Sequence, residues 1–561
     1  LQSLDGYDVV ETISRQSWVR DHKVGMMGIS YGGISQLFTA QLQPPHLEAI
    51  SPLSVLDATA TTLYPGGILN TGFAVAWAQE RQHEALPAGP NSGQPWAYQQ
   101  IQSGDTICAN NQVLHGEAAD LSAKIAANSH YDAAVADPLD PVTFVNKINV
   151  PVFMACQWED EQTGGHCPEL VRHFTGTSQK WFNFTNGAHI DSLDPYTYNR
   201  WYDFLQLFVA HRAPIENVAI PRAAAPVVYQ VAMGLPQSDV VTLPLDPIQS
   251  IPTYDAALTA FNQLPRVRVL FDNGAGAGPT QTANPGDPYP GFVKDFSALP
   301  AAGTTARTWY LGPSGVLRDQ APASGGINWF SSNAHALPLT DYGSNTGTGG
   351  LWGNASQWQW NWQQSPSGSA VSYVSAPLTA NTTVIGSGAV YLWVRSSTPD
   401  VDLQATISEV RPDGNETFVQ NGWIRASERK LSTDSNNMFK RLSTTLEPIP
   451  TFTAADVSPM PAGQFVKVAI PLYYQGHAYR SGSRIRVTIA SPNGTQPIWS
   501  FGQTVPNPSG TVSIAFSTSM PSSLVLPIVP VSVSTALPAC PSLRNEPCRP
   551  YQAIVNKTAL Q

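Results

Sequence analysis

The stretch Val24-Gly25-Met26-Met27-Gly28-Ile29-Ser30-Tyr31-Gly32-Gly33 decides how this chain is read. It opens as a short apolar strand and turns through Gly-x-Ser-x-Gly. It then enters a helix whose apolar positions Ile34, Leu37, Phe38 and Leu42 recur at near-helical spacing. A serine on so tight a strand-to-helix turn adopts strained backbone geometry, with neighbouring backbone close by. The positions two before and two after it should be small, and Gly28 and Gly32 occupy them. The turn lifts the Ser30 hydroxyl clear of a sheet and points a helix N-terminus at it. The Tyr31 backbone N–H then faces the place where an oxyanion would form. In a chain with 43 glycines a chemically inert Gly-Ser turn is the plain alternative. The strand before, the amphipathic helix after and the absence of proline inside favour a nucleophile elbow.

Working outward, Asp5 to Arg20 reads as a helix capped by Asp5, with Val9, Val10, Ile13 and Trp18 on its apolar side. Leu47 to Leu53 is a second short strand, and this alternation marks an α/β domain. Over residues 58–140 the apolar positions scatter, with turn breaks at Pro65-Gly66-Gly67 and Pro87 to Pro95. A mostly helical cap over the elbow end of the sheet is expected there, with Phe73, Trp77 and Trp96 as candidate pocket walls. The α/β pattern resumes at Val150 to Cys156 and continues through a helix containing Leu170, Val171 and Phe174. A strand at Trp181 to Phe184 and a closing helix at Tyr198 to Phe208 follow. The α/β domain is thus expected over 1–57 and 141–224.

From about residue 225 the runs become short, β-branched or aromatic. Val267 to Phe271, Thr308 to Leu311, Ala389 to Val394, Gln404 to Val410, Phe465 to Ile470, Arg484 to Ile489 and Thr511 to Phe516 are separated by turn residues. They predict an all-β sandwich over 225–535, followed by a C-terminal tail at 536–561. Residues 320–370, rich in Gly, Ser, Asn and Trp, read as a surface excursion.

A chain of 561 residues is too long for one core, and only 12% of it is charged, against about a quarter on average. The net charge of −10 and the lack of any Lys/Arg block argue against a nucleic-acid partner. The longest apolar run, Leu524 to Leu537, is broken by Pro527 and Pro530 and is too short to span a membrane. Leu1 to Gly6 is not a signal peptide, and the chain reads as cut from something longer. Of the five cysteines, Cys540 and Cys548 could close one disulfide and Cys108 could pair with Cys167; five separate thiols are the alternative. Low Lys, abundant Ser, Thr and Asn, and possible disulfides point to an exported protein, secreted or periplasmic. No feature of the sequence specifies an oligomeric state.

A serine hydroxyl is a poor nucleophile until a base takes its proton, and the base needs a carboxylate to set its tautomer. Where a serine elbow comes first in the chain, the acid and then the histidine follow on loops after later strands. Asp160 follows the strand Val150 to Cys156, and His189 follows the next one. Glu159 and Glu161 flank Asp160, and an acidic loop is more often simply solvated; its position after a buried strand puts Asp160 first. His46, His166 and His173 compete with His189, which leads on its strand-end position between Gly187 and Asp191. Asp160, Glu161 and His166 could suggest a metal, but they lack the spacing of a ligand set.

At these residues the chain resembles the cocaine esterase / X-Pro dipeptidyl-peptidase (S15-type) hydrolases. Gly28-Ile29-Ser30-Tyr31-Gly32-Gly33 is similar to that family's elbow, and Pro44-Pro45-His46-Leu47 follows as it does there. Trp158-Glu159-Asp160 resembles its acid loop and Asn186-Gly187-Ala188-His189 its histidine turn. Tyr373 to Leu378, Asp400-Val401-Asp402, Arg411 to Gly414 and Gly422 to Arg429 resemble its C-terminal jelly roll. The resemblance implies an α/β-hydrolase with a mostly parallel sheet, a helical cap and an all-β jelly-roll sandwich. It implies a Ser30–His189–Asp160 triad acting through an acyl-enzyme on a small ester, amide or short peptide, without a cofactor.

Two departures shape the expectation. Family members carry strands before the elbow, one of whose loops supplies a tyrosine to the oxyanion hole. Here that segment is absent, so the sheet is expected to be N-terminally truncated, with the Tyr31 N–H alone assignable. One lost oxyanion donor costs about 10²–10³ in rate elsewhere. Also, Gln162 and Thr163 stand where the α-amino-acid ester hydrolases of this group place carboxylates. The rival reading is an impaired fragment or a surface or carbohydrate-binding protein that uses the jelly roll, with Trp352, Trp358, Trp360 and Trp362 exposed as its platform.

Overall fold

Five strands lie side by side in chain order and run parallel: β1 (Val24–Ile29), β2 (Leu47–Leu53), β3 (Val152–Gln157), β4 (Lys180–Thr185) and β5 (Val267–Phe271). β6 (Phe292–Phe296) closes the row antiparallel to β5. This computed structural model describes residues 2–117, 119–279, 284–339, 360–502 and 510–558. Along β3 the side chains divide with period two. Val152, Met154 and Cys156 join one core, while Phe153 and Ala155 join the other. Burial on both faces is why β3 reads as an unbroken apolar run.

The first face is covered by α1 (Gln2–Ser14), through Val10, and by α2 (Tyr31–Ala40), through Leu37 and Ala40. Met438, Phe439 and Tyr474 from the β-rich half share the same core. The second face is covered by α9 (Pro195–Phe208) and α11 (Tyr254–Asn262), whose Phe204, Phe208 and Phe261 pack on Trp181. Between β2 and β3 the described residues form six short α-helices, interspersed with 3-10 turns: α3 (Thr59–Leu63), α4 (Phe73–Glu84), α5 (Pro95–Gln102), α6 (Thr106–Asn111), α7 (Leu121–Ala127) and α8 (Ala133–Ala136). Asp105, Asp120 and Asp132 cap three of them by accepting a backbone N–H of the first turn. A last helix, α10 (Ala219–Ala232), follows α9.

The remaining strands form a β-sandwich of mainly antiparallel ladders. Arg484–Ala490 sits centrally, between Ala370–Val374 and Asp402–Val410. The alternation seen in Arg484 to Ile489 is realised, because Ile485, Val487 and Ile489 enter the core with Leu403, Ala405 and Ile407.

Several expectations are corrected. Val267 to Phe271 belongs to the parallel sheet, not the sandwich. The helix α11 just before it supplies the crossover that a parallel strand needs. Asp5 lies inside the first turn of α1 rather than capping it, since the helix begins at Gln2 and ends at Ser14. The expected helix at Leu170 is a 3-10 segment, Cys167–Arg172. The expected C-terminal tail is packed onto the sandwich over part of its described length. Cys548–Pro550 pairs with Asn415 to Thr417, and Arg544 is fully buried. Of the possible pairings, Cys540 does join Cys548, whereas Cys167 joins Cys156 rather than Cys108, which is a free thiol. Trp360 and Trp362 are buried against Phe418, so they form no exposed platform; Trp352 and Trp358 lie outside the described residues.

Candidate active site

Ser30 caps α2 at φ 61° and ψ −129°, a conformation that costs a non-glycine residue energy. Its N–H donates to Leu53 O at 2.9 Å, and its carbonyl accepts the N–H groups of Gly33 and Ile34, both at 2.8 Å. The glycines explain how the turn is accommodated. A Cβ on Gly28 would stand 2.8 Å from Gly32 O, and one on Gly33 2.6 Å from Leu53 O. On Gly32 it would meet nothing within 4 Å, so the space requirement falls on Gly28 and Gly33 rather than on Gly28 and Gly32. The Tyr31 amide is the first of α2.

Asp160 leaves the end of β3, fully buried. Its Oδ1 accepts the backbone N–H groups of Gln162 and Thr163, and its Oδ2 the Thr163 hydroxyl, each at 2.8 Å. That Oδ2 also meets His189 Nδ1 at 2.7 Å. Burial works against the Asp160 charge, but the facing imidazole and these donors outweigh it and lower its pKa. Burial likewise opposes charge on His189, yet Asp160 leaves its pKa raised. The other ring nitrogen, Nε2, is buried and has no hydrogen-bond partner among the described residues, so it is not bonded to the Ser30 hydroxyl.

The histidine backbone is held on both sides. Glu161 Oε2 accepts its N–H, and its carbonyl accepts the Ser54 hydroxyl, both at 2.7 Å. Ser54 directly follows Leu53, the acceptor for Ser30 N–H, so the ends of β1, β2 and β4 share one rim. Beneath the turn, Asp191 accepts Ala188 N–H at 2.7 Å and pairs with the Arg544 guanidinium at 2.7 Å. Burial foremost, then the Asp160 charge, pushes Glu161 up to about 7.

Ser30 and Tyr31 also line a cavity of about 820 Å³ beneath the cap. Phe73, Trp77, Ile125 and Phe452 give it apolar walls. Trp96 stays outside, 68% exposed. His166 lines the cavity too, and its Nδ1 meets Asp57 Oδ2 at 2.7 Å. Asp160 and His166 therefore point to different partners and do not converge with Glu161 as a ligand set. Among the described residues no group of three or more such side chains could hold a metal ion. Of the competing histidines, His46 pairs with Glu11 and His173 with Glu169.

Sequence reasoning missed Asp57, Ser54, Glu161 as a backbone acceptor, and Arg544. Asp57 had one usable signal: like Asp160 it stands a few residues beyond an apolar strand, on the same rim.

Two family models match this chain. Residues 2–191 match X-Pro dipeptidyl-peptidase (S15 family), and residues 259–520 match the X-Pro dipeptidyl-peptidase C-terminal non-catalytic domain. Two proteins named "Putative serine esterase", from Mycobacterium bovis and Mycobacterium tuberculosis, are each 23% identical over 531 residues, 88% of this chain and 74% of theirs. A CocE/NonD family hydrolase from Staphylococcus aureus superposes with TM-score 0.62 at 18% identity, covering 94% of this chain and 76% of that one. An aminopeptidase from a marine sediment Thaumarchaeota archaeon does so with TM-score 0.62 at 16% identity, covering 94% and 80%. An α-amino acid ester hydrolase follows with TM-score 0.58 at 15% identity, covering 94% and 80%. The common architecture is an α/β-hydrolase domain joined to a C-terminal β-sandwich.

Proposed function

The chain belongs to the S15 family of hydrolases, that of the X-Pro dipeptidyl-peptidases, and we propose that it cleaves an ester or amide through an acyl-enzyme on Ser30. The observation that carries this reading is the 2.7 Å His189–Asp160 pair, set on the rim where the strained Ser30 turn ends β1. An unsatisfied buried ring nitrogen is costly and calls for a reason. A base facing the nucleophile is such a reason for His189 Nε2. Nucleophile–base contacts are often long before substrate binds and tighten in the reacting complex.

In the proposed cycle the Ser30 hydroxyl attacks the carbonyl carbon and His189 Nε2 takes its proton. Asp160 keeps the other proton on Nδ1 and stabilises the imidazolium. The Tyr31 N–H, at the positive end of α2, is the assigned donor to the oxyanion. His189 then gives its proton to the leaving oxygen or nitrogen, and water repeats the sequence on the acyl-enzyme. The apolar cavity next to Ser30 suits the acyl part of a small ester, amide or short peptide. Two disulfides support the reading of an exported protein.

A fluorophosphonate probe tests this directly. We expect it to label the folded wild type and not Ser30→Ala, with hydrolysis of 4-nitrophenyl esters lost in parallel. Absence of label on folded wild type, or label that persists in Ser30→Ala, overturns the reading. Comparing those esters with Xaa-Pro 4-nitroanilides then separates esterase from dipeptidyl-peptidase activity.

A further inference from the structure

His166 is held as firmly as the proposed catalytic histidine, and the mechanism above does not use it. Its Nδ1 meets Asp57 Oδ2 at 2.7 Å, with the carboxylate fully buried. Asp57 is itself fixed, for its Oδ1 accepts the Thr61 hydroxyl at 2.8 Å. The imidazole stacks on Phe439 at 4.9 Å and meets the edges of Tyr473 and Tyr474 at 5.3 and 5.2 Å. The ring is thus fixed in place and in rotation. A carboxylate on Nδ1 selects the neutral tautomer protonated there, which leaves Nε2 as an acceptor. Nε2 makes no hydrogen bond to any described residue, although His166 lines the same cavity as Ser30. Thr62 and Tyr473, also on this wall, donate their hydroxyl protons to the carbonyls of Thr163 and Thr61. A fixed acceptor in an apolar cavity is what a site uses to select a ligand that carries a donor.

We propose that the Asp57–His166 pair is a specificity-determining element that accepts a hydrogen bond from an uncharged donor, a hydroxyl, on the acyl part of the substrate. This rests on the acyl-enzyme reading above. The acyl group stays on Ser30 while the leaving group departs, so the cavity that Ser30 shares with His166 is the place for the acyl chain. Preferred substrates are then hydroxyacyl esters or amides rather than plain alkyl ones.

The test measures kcat/KM for 4-nitrophenyl hexanoate against its 2-, 3- and 6-hydroxy derivatives, in the wild type, His166→Phe, His166→Gln and Asp57→Asn. We expect the wild type to favour at least one hydroxy ester by about tenfold, the worth of one well-made hydrogen bond. His166→Phe should abolish that preference while still hydrolysing the hexanoate. His166→Gln, whose carbonyl can accept, should keep part of it, and Asp57→Asn should weaken it. A purely structural role would lower all four esters together and leave their ratio unchanged. The inference is overturned if the wild type shows no hydroxy preference, or if the preference survives in His166→Phe. Fluorophosphonate labelling separates the two failures. A wild type that takes the label but shows no preference sinks this inference alone, whereas one that takes no label sinks the reading beneath it.

Discussion

Two histidine–aspartate pairs invite comparison, and bond length does not tell them apart. His189–Asp160 and His166–Asp57 both close at 2.7 Å between Nδ1 and Oδ2, and all four side chains are buried. Their surroundings differ. Asp160 is solvated by its own loop, through the amides of Gln162 and Thr163, and its histidine follows β4 and is tied through Ser54 to the end of β2 that also receives the Ser30 N–H. Asp57 comes from the loop after β2, and its histidine is boxed by aromatic rings on the cavity wall. A pair of this kind is only an oriented imidazole. What the far nitrogen faces decides whether it moves a proton or selects a ligand.

The same substitution at both carboxylates breaks the comparison most sharply. Asp160→Asn should lower kcat by about 10⁴, the loss expected when the histidine tautomer is wrong. Asp57→Asn should leave hexanoate turnover near wild type and cost up to about tenfold on a hydroxy ester. Equal losses measured by initial rates on both variants would mean the pairs act as one unit.

The pH profile gives a second contrast. His189 must be neutral to accept a proton, and its pKa is raised above the ordinary 6.5. The acid limb of kcat/KM should therefore lie above that value, with activity rising as pH rises through it. Asp160→Asn removes the charge that raises it, so the limb should move to lower pH. Glu161→Gln, which removes a further negative neighbour, should shift the limb the same way by less. It should also abolish a titration near 7. Asp57→Asn should leave the limb where it is, since Asp57 faces the other ring; a shift would couple the two pairs.

Much of this was legible in the sequence, and the gaps have physical causes. The elbow was readable because backbone crowding admits only glycine, although the crowded second position proved to be Gly33 rather than Gly32. The chain order of Ser30, Asp160 and His189 was readable because each follows a short apolar strand, although only β3 and β4 are buried. Asp57 was not, since its partner lies 109 residues away and its one local mark, a place just beyond the strand β2, does not name that partner. Val267 to Phe271 could be recognised as a strand, but a five-residue apolar run does not say which sheet it joins. Trp360 and Trp362 sit beside a polar, glycine-rich stretch yet bury against Phe418, a contact that composition does not reveal.

Arg544 has a consequence for when the protein becomes competent. Its guanidinium neutralises Asp191 from below the His189 turn, its carbonyl accepts from Asn186, and its neighbour Asn545 donates to Glu159 O. A nascent chain that has not yet emerged from the ribosome as far as Arg544 carries Asp191 without a counter-charge, and burying it alone is strongly unfavourable. The histidine turn can therefore set only once the chain has been made as far as Arg544, so the turn and the segment that carries Arg544 take shape together.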